Sequence, residues 1–337
     1  MLGDKEFITL LEQLGEGVII VSSEYDILHA NKIAIEYFGD KIFGKPIYNL
    51  IRNSEVIDAI NESIDINISF PYSSSIGSHS LQLTYTQKVD SPGIIVINDQ
   101  TEEENFYNIR RDLIANVSHE LRSPLTAIAG FIETLKNDKI ERQKELRFLQ
   151  IMEEEANRMN RIISDLLSLS KIQINVYGEL PDKINIIDQV IVAKNALELR
   201  AKELGKDITV THGDNVFPQI SADEDQIIEV FHNLIDNAIK YSKEKSEINI
   251  SAETCEDKKK KYVKVTVTND GTGISEEHLP RLTERFYRVD KARSRNVGGT
   301  GLGLAIVKHT LLRHNANMEI TSKINGKTKF IVSFPSR

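Results

Sequence analysis

Apolar positions along the chain change their period twice, and the changes divide it into three blocks. In residues 4–98 the apolar runs are short. "EGVIIVSSEYDILHAN" reads as two strands around a turn, and "KIAIEYFG" as a helix that Asn31 opens and Gly39 stops. "SLQLTYTQKV" alternates apolar and polar residues strictly, and "GIIVIND" closes the block as a strand. In residues 102–173 the period lengthens to three and four. Ile114, Val117, Leu121, Leu125, Ile128, Ile132 and Leu135 form one stripe. "KNDK" at 136–139 interrupts it, and Leu149, Met152, Ala156, Met159, Ile163 and Leu166 form a second. Two such helices predict an antiparallel hairpin. One hairpin has too little to bury alone, so two chains are expected to build a four-helix bundle. In residues 180–337 the periods mix. "QIIEVFHNLIDNAIKYS" is an amphipathic helix, "YVKVTVTND" an alternating strand, "GLGLAIVKHTLLRHN" a helix leaving a glycine loop, and "KFIVSFP" a closing strand.

Composition narrows the picture. A chain of 337 residues, 40% hydrophobic, has material for two or three cores. A net charge of −8 argues against a nucleic-acid-wrapping surface. Cys255 is the one cysteine, so no disulfide framework exists and a reducing compartment fits. The longest apolar runs, "GVIIV" and "GIIVI", fall far short of the roughly 18–20 residues of a membrane helix. "MLGDKEF" lacks the apolar stretch of a signal peptide. The expectation is a soluble chain, or the cytoplasmic part of a longer anchored one. The lysine run 258–261 reads as a solvated hairpin turn, and His29 and His79 as surface residues rather than cofactor ligands.

The candidate chemistry begins at "NVSHELRSPLT", residues 116–126. At about 100° per residue, His119 points away from the seam that Val117 and Leu121 define. Glu120 follows it, a carboxylate able to accept a ring N–H and raise the nucleophilicity of the other nitrogen. Pro124 removes a backbone donor and tends to kink the helix. Further on, Asn233 and Asn237 lie four apart on one helix face, and amide oxygens can ligate Mg²⁺. Gly299, Gly301 and Gly303 precede a helix whose N–H groups suit phosphate.

"SHELRSPLT" resembles the phospho-acceptor box of bacterial sensor histidine kinases, and the joint likeness covers roughly residues 105–337. The resemblance implies that His119 takes the γ-phosphoryl group of ATP, with Glu120 as general base. It implies an N box at Asn233, Asn237 and Lys240, with Tyr241 following and Mg²⁺ at Asn233 and Asn237. Related ATPases and chaperones carry a water-activating glutamate where Asn233 stands, so slow hydrolysis is expected. "NDGTGIS" resembles the G1 box at Gly271 and Gly273, but its adenine-binding position is Asn269 rather than aspartate. "GGTGLGLAIVKH" matches the G2 box at Gly299, Thr300, Gly301, Leu302 and Gly303. In the arginine-dense lid 279–295, Phe286 resembles the F-box residue, and Arg288 is placed to reach the terminal phosphate.

The fold implied is multidomain α+β, in three parts. They are a PAS-like domain at 4–98, a dimerisation and phosphotransfer hairpin at 102–173, and a GHKL-type α/β-sandwich ATP-binding domain at 180–337. The lid and G2 segment are most similar to phosphate-regulon sensor kinases. That implies a homodimer whose partner is a PhoB-like response-regulator receiver domain, with phosphate-transport regulatory proteins as possible further partners. It places the chain in the cytoplasm, at the inner face of the membrane through an anchor outside it or through partners. Ser123 stands where the family carries the Thr or Asn associated with dephosphorylating the regulator; its hydroxyl keeps that activity open. A non-catalytic nucleotide-binding dimeric scaffold remains the alternative. A plain ATPase is disfavoured by Asn233.

Overall fold

The computed structural model describes residues 4–51, 53–62, 65–73, 77–87, 91–136, 140–174, 180, 182–213, 217–257, 260–290 and 299–336. The chain forms two compact units, Met1–Ile114 and Ala115–Arg337.

The first unit holds α1 (Asp4–Glu12), β1 (Gly17–Val21), β2 (Ile27–Ala30), α2 (Lys32–Phe38), α3 (Ser54–Asn61), β3 (Ile66–Ser73), β4 (Ser78–Thr86) and β5 (Gly93–Asp99). Its strands pair antiparallel in the order β2-β1-β5-β4-β3. Asn31 explains why α2 starts where it does. Its Oδ1 accepts from the Ala34 and Val18 amides, and its Nδ2 donates to the Leu11 and Glu16 carbonyls. One buried amide thereby ties α1, β1 and α2 together, with all four of its hydrogen-bonding positions used. Gly39 ends α2 at φ 84°, a left-handed angle that favours glycine. The alternation read in the sequence buries Leu81, Leu83 and Tyr85 of β4 on the core side.

Both histidines of this unit depart from their expected surface positions. The His79 side chain is 16% exposed, and its Nδ1 lies 2.9 Å from Asp99 Oδ2, which also accepts from Tyr37 Oη at 3.0 Å. Burial, then Asp99, pushes the Tyr37 phenol up to about 12. His29, 22% exposed, lies 4.0 Å from Glu12. Both are half-buried rather than fully exposed: His79 of β4 lies against Asp99 of the neighbouring β5, and His29 of β2 faces Glu12 of α1.

In the second unit, α4 (Thr101–Leu135, entering from the first) and α5 (Arg142–Ile174) make the antiparallel hairpin. Phe131 stacks on Phe148 at 5.0 Å, and Arg158 reaches Glu120. α4 runs unbroken through Pro124, which is buried. The buried face of α5 is Arg158, Ile162, Leu169 and Ile172, one position off the predicted stripe. The stripe residues Leu149 and Ile163 stay exposed, as do Ile114, Leu125 and Ile132 on α4. The hairpin therefore has two apolar faces, one covered within this chain and one not.

The rest of the unit is β6 (Asp182–Ile184), α6 (Ile186–Glu203), β7 (Asp207–His212), β8 (Ile220–Ala222), α7 (Glu224–Tyr241), β9 (Glu247–Asp257), β10 (Lys260–Asp270), α8 (Gly303–Arg313), β11 (Asn317–Ser322) and β12 (Lys327–Ser336). The five-stranded sheet has the order β11-β12-β10-β9-β7, parallel at β7–β9 and antiparallel elsewhere. Alternate residues of β10 (Val263, Val265, Val267) and β12 (Phe330, Val332, Phe334) share one core with α6, α7 and α8. Asp223 caps α7 by accepting from the Gln226 amide. Ile227, Val230, Phe231, Leu234, Ile235, Ala238 and Ile239 then form the buried stripe that fixes which face of α7 looks outward. Of the lysine run expected as a turn, Lys260 and Lys261 instead open β10, paired with Asp257 and Glu256 of β9, and Lys258 and Lys259 lie outside the described residues. Among the described residues no helix is long and apolar enough to cross a membrane.

Candidate active site

A cavity of about 440 Å³ opens over α7 in the second unit. Asn233, Asn237, Lys240 and Tyr241 line it from α7; Asn269, Gly271 and Gly273 from the end of β10; and Arg288, Gly299, Thr300, Gly301 and Gly303 from the segments before α8. The three separate sequence motifs thus surround one space. Phe286 and Leu302, also singled out, turn elsewhere: they pack with Leu169, Ile172 and Ile306. Part of the lid, residues 291–298, lies outside the described residues.

Close backbone approach explains the glycines. A Cβ on Gly273 (φ 72°) would sit 2.1 Å from the Lys323 carbonyl oxygen, and one on Gly301 (φ 76°) 2.9 Å from the Phe286 backbone. A Cβ on Gly303 would lie 2.7 Å from Asn233 Oδ1, so the start of α8 rests directly on α7. Asn233 Nδ2 donates to the Glu229 carbonyl one turn back, which turns Oδ1 toward that junction. Asn269 is buried, whereas Asp270 faces out and pairs with Lys243 at 3.2 Å. The cavity therefore presents an amide, with donor and acceptor both, where its neighbour would have offered a carboxylate.

Charge around the cavity is built from residues the sequence reading missed. Asp236 pairs with Lys240 and with Arg200 of α6, fixing the N-box lysine. Asp165 comes from α5 and accepts from Thr300 Oγ1 at 2.6 Å. Burial raises the carboxyls of Asp165 and Glu229 above their ordinary value and lowers the His232 imidazole below its own. Among the described residues no three His, Cys, Asp or Glu side chains gather as a metal site. Asn233 and Asn237 offer amide oxygens, and Asp165, Glu229 and Asp236 add carboxylates to the same wall; this donor set fits Mg²⁺, a cation that takes oxygen ligands and keeps several waters.

His119 is exposed on α4, as its phase predicted, and Ser123 is exposed one turn on. Glu120 turns toward α5: its Oε2 accepts from Arg158 Nη2 at 2.8 Å and Arg288 Nη2 at 3.5 Å. Both guanidinium groups are nearly buried, at 7% and 6% exposure, so this is an interior ion cluster rather than a surface bridge. Arg158 left a faint sequence signal, an arginine set between apolar positions of a helical stripe. Asp165 left none.

Two family descriptions match the chain. "His Kinase A (phospho-acceptor) domain" covers residues 109–174, and "Histidine kinase-, DNA gyrase B-, and HSP90-like ATPase" covers 222–337. The phosphate regulon sensor protein PhoR of Pseudomonas aeruginosa is 36% identical over 93% of this chain and 70% of its own length. Sensor protein SrrB of Staphylococcus aureus is 30% identical over 97% of this chain, which spans 55% of SrrB. Among solved structures, histidine kinase ThkA in complex with response regulator protein TrrA matches with a TM-score of 0.55. It is 22% identical, with 98% of each chain covered. Acinetobacter baumannii histidine kinase AdeS gives 0.51 at 21% identity, over 65% of this chain and 98% of its own. These two likenesses concern the fold. With the cavity, its motifs and the exposed His119 now in view, the chain belongs to the sensor histidine kinases of two-component systems, ATP-dependent protein-histidine kinases.

Proposed function

We propose that this chain autophosphorylates His119 from ATP–Mg²⁺ and passes the phosphoryl group to an aspartate of a PhoB-like response regulator in phosphate-starvation signalling. The single observation that carries the reading is the bridge between the two halves of the chemistry. Arg288, which lines the nucleotide cavity, also reaches Glu120, the residue next to His119. The cavity and the carboxylate beside the proposed nucleophile thus lie within one compact unit and share a cation.

In the reaction, a neutral ring nitrogen of His119 attacks the γ-phosphorus in line. The N–P bond forms as the bond to the β–γ bridging oxygen breaks, and ADP leaves with that oxygen. Glu120 accepts the proton from the other ring nitrogen once its carboxylate swings away from Arg158 and Arg288. Arg288 then faces charge building on the transferring group. Asn237 and Asn233 would offer amide oxygens to Mg²⁺, which would offset phosphate charge. Asn233 cannot deprotonate water, so the phosphoryl group is kept for the imidazole. Asn269 receives the adenine edge.

The uncovered apolar face of the hairpin supports a homodimeric four-helix bundle. The strand order β2-β1-β5-β4-β3 supports a PAS-like sensor unit, which would bias the hairpin between geometries. We propose domain limits of 4–98, 102–173 and 180–337; the hairpin helices Thr101–Leu135 and Arg142–Ile174 support the middle one. Ser123, exposed one turn past His119, suits orientation of a water for dephosphorylating the regulator. Incubation with γ-labelled ATP tests the proposal. The label should be acid-labile, base-stable and absent from His119→Gln; base-labile label, or label persisting in that variant, would overturn it.

A further inference from the structure

The sequence "LGK", residues 204–206, ends α6 and leads into β7, and it puts a lysine where a chain entering a core normally has an apolar residue. Gly205 turns the backbone at φ 65°, and the Lys206 amide bonds back to the Ala201 carbonyl at 2.9 Å. Lys206 is left 7% exposed. Burying an ammonium group is costly unless its hydrogen bonds are met. Here they are met across the domain, at the far end of α7. Nζ donates to the carbonyls of Ile239 and Ser242, the latter at 3.0 Å.

That helix end forms the rim of the nucleotide cavity. The last carbonyls of a helix have no partners within it, and they carry the negative end of its dipole. Ala238 is satisfied by the Ser242 amide at 3.0 Å. The Tyr241 carbonyl oxygen lies against Gly271, where a Cβ would come within 2.5 Å. Ser242 bridges to Gly271 in turn, and the Lys243 amide donates to the Asp270 carbonyl at 2.9 Å. So α7's last turn and the loop bearing Asn269, Gly271 and Gly273 form one joint, and Lys206 is its cation. Burial pushes the Lys206 amine below its ordinary value, with Glu244 opposing, as suits a group held by carbonyls rather than by a carboxylate.

We propose that Lys206 is a positioning residue for nucleotide binding: its buried ammonium group locks the C-terminal turn of α7 against the β10 loop and so sets the width of the adenine end of the cavity. It touches no substrate. The inference rests on the reading of this cavity as the ATP site.

The test uses the full chain carrying Lys206→Met, which keeps the bulk and removes the charge, and Lys206→Gln, which keeps a shorter donor. Binding of ATP and of ADP is titrated by calorimetry, and autophosphorylation kinetics are measured beside it. Loss of a charge-assisted bond at the joint should raise Kd for both nucleotides by about tenfold in Lys206→Met. The effect should be equal for ATP and ADP, with kcat nearly unchanged and Lys206→Gln between the two. A merely structural lysine would lower the melting temperature and the number of binding sites while leaving Kd as it was; that result overturns the proposal. So does a fall in kcat at constant KM. If Lys206→Met does not fold, Lys206→Gln decides by the same criteria. Failure of the unaltered chain to bind either nucleotide would remove the ATP reading as well, a different result from equal affinity in all three proteins.

Discussion

The α/β sandwich and the helical hairpin satisfy their apolar residues in opposite ways. In the sandwich, Phe231, Val265, Phe334 and their neighbours are buried within this chain, and the helices lie on a sheet whose register is fixed by long antiparallel pairings. In the hairpin, Ile114, Leu125, Ile132, Leu149 and Ile163 face outward, while Leu169 and Ile172 close against Leu302 and Ile306. The lesson is a division of labour. The part that the proposed function assigns to nucleotide buries its apolar core within one copy, whereas the part assigned to the nucleophile leaves an apolar face for a second surface.

The largest expected effect breaks that difference at the hairpin. Leu125→Asp with Ile132→Asp should convert a dimer to monomers, raising the dissociation constant by roughly a thousandfold or more, because each charge falls on both sides of a symmetric interface. Sedimentation should show the mass halved while the sandwich melts where it did before. A dimer that survives would leave the exposed stripe without its proposed partner. The reverse cut comes next. Phe231→Ala should destabilise the sandwich by about 3–5 kcal/mol through the cavity left behind, with the dimer unaffected.

A smaller effect probes the junction of the two regions. Asp165 of α5 sits in the cavity wall and holds Thr300, so its carboxylate stands close to where phosphates would lie. Asp165→Asn should lower KM for ATP several-fold by removing like charge. A raised KM would mean that this contact assists nucleotide binding.

The smallest effect concerns pH. His314 is buried; its Nδ1 donates to the Thr310 carbonyl and its Nε2 accepts from the Asp223 amide, so it is held neutral. Burial lowers its affinity for protons, with Arg313 adding to this and Thr310 and Asp223 opposing. The unfolded chain therefore binds this proton at higher pH than the fold does. The contribution is complete above the ordinary value of 6.5 and is lost as pH falls below it. His232 and His309 shift the same way, while Asp165 and Glu229, raised by burial, act in the opposite sense at lower pH. Melting temperature should drop between neutral pH and pH about 5.5, and drop less in His314→Gln; equal drops would refute the assignment.

Elements with strong local signals were legible in the sequence. Asn31 and Gly39 bracket α2, the alternation of β4 and β10 names their buried faces, and the phase of α4 turns His119 outward. The glycine motifs were legible because close backbone contact admits no side chain. The residues that join distant elements were not. Arg158, Asp165, Arg200, Asp236 and Lys206 act across separations that no local period encodes. The one-position offset on α5 has the same origin. A helix with two apolar faces yields one averaged stripe to a periodicity argument, and the fold then assigns the faces separately.

The most direct test of the central claim is phosphopeptide mapping of the full chain after brief incubation with ATP and Mg²⁺, under alkaline conditions that preserve phosphoramidates. The account predicts one phosphoryl group, on the peptide containing His119 and on its ring nitrogen. Phosphate released to solution with the protein unmodified, or carried on a serine or threonine, would contradict it.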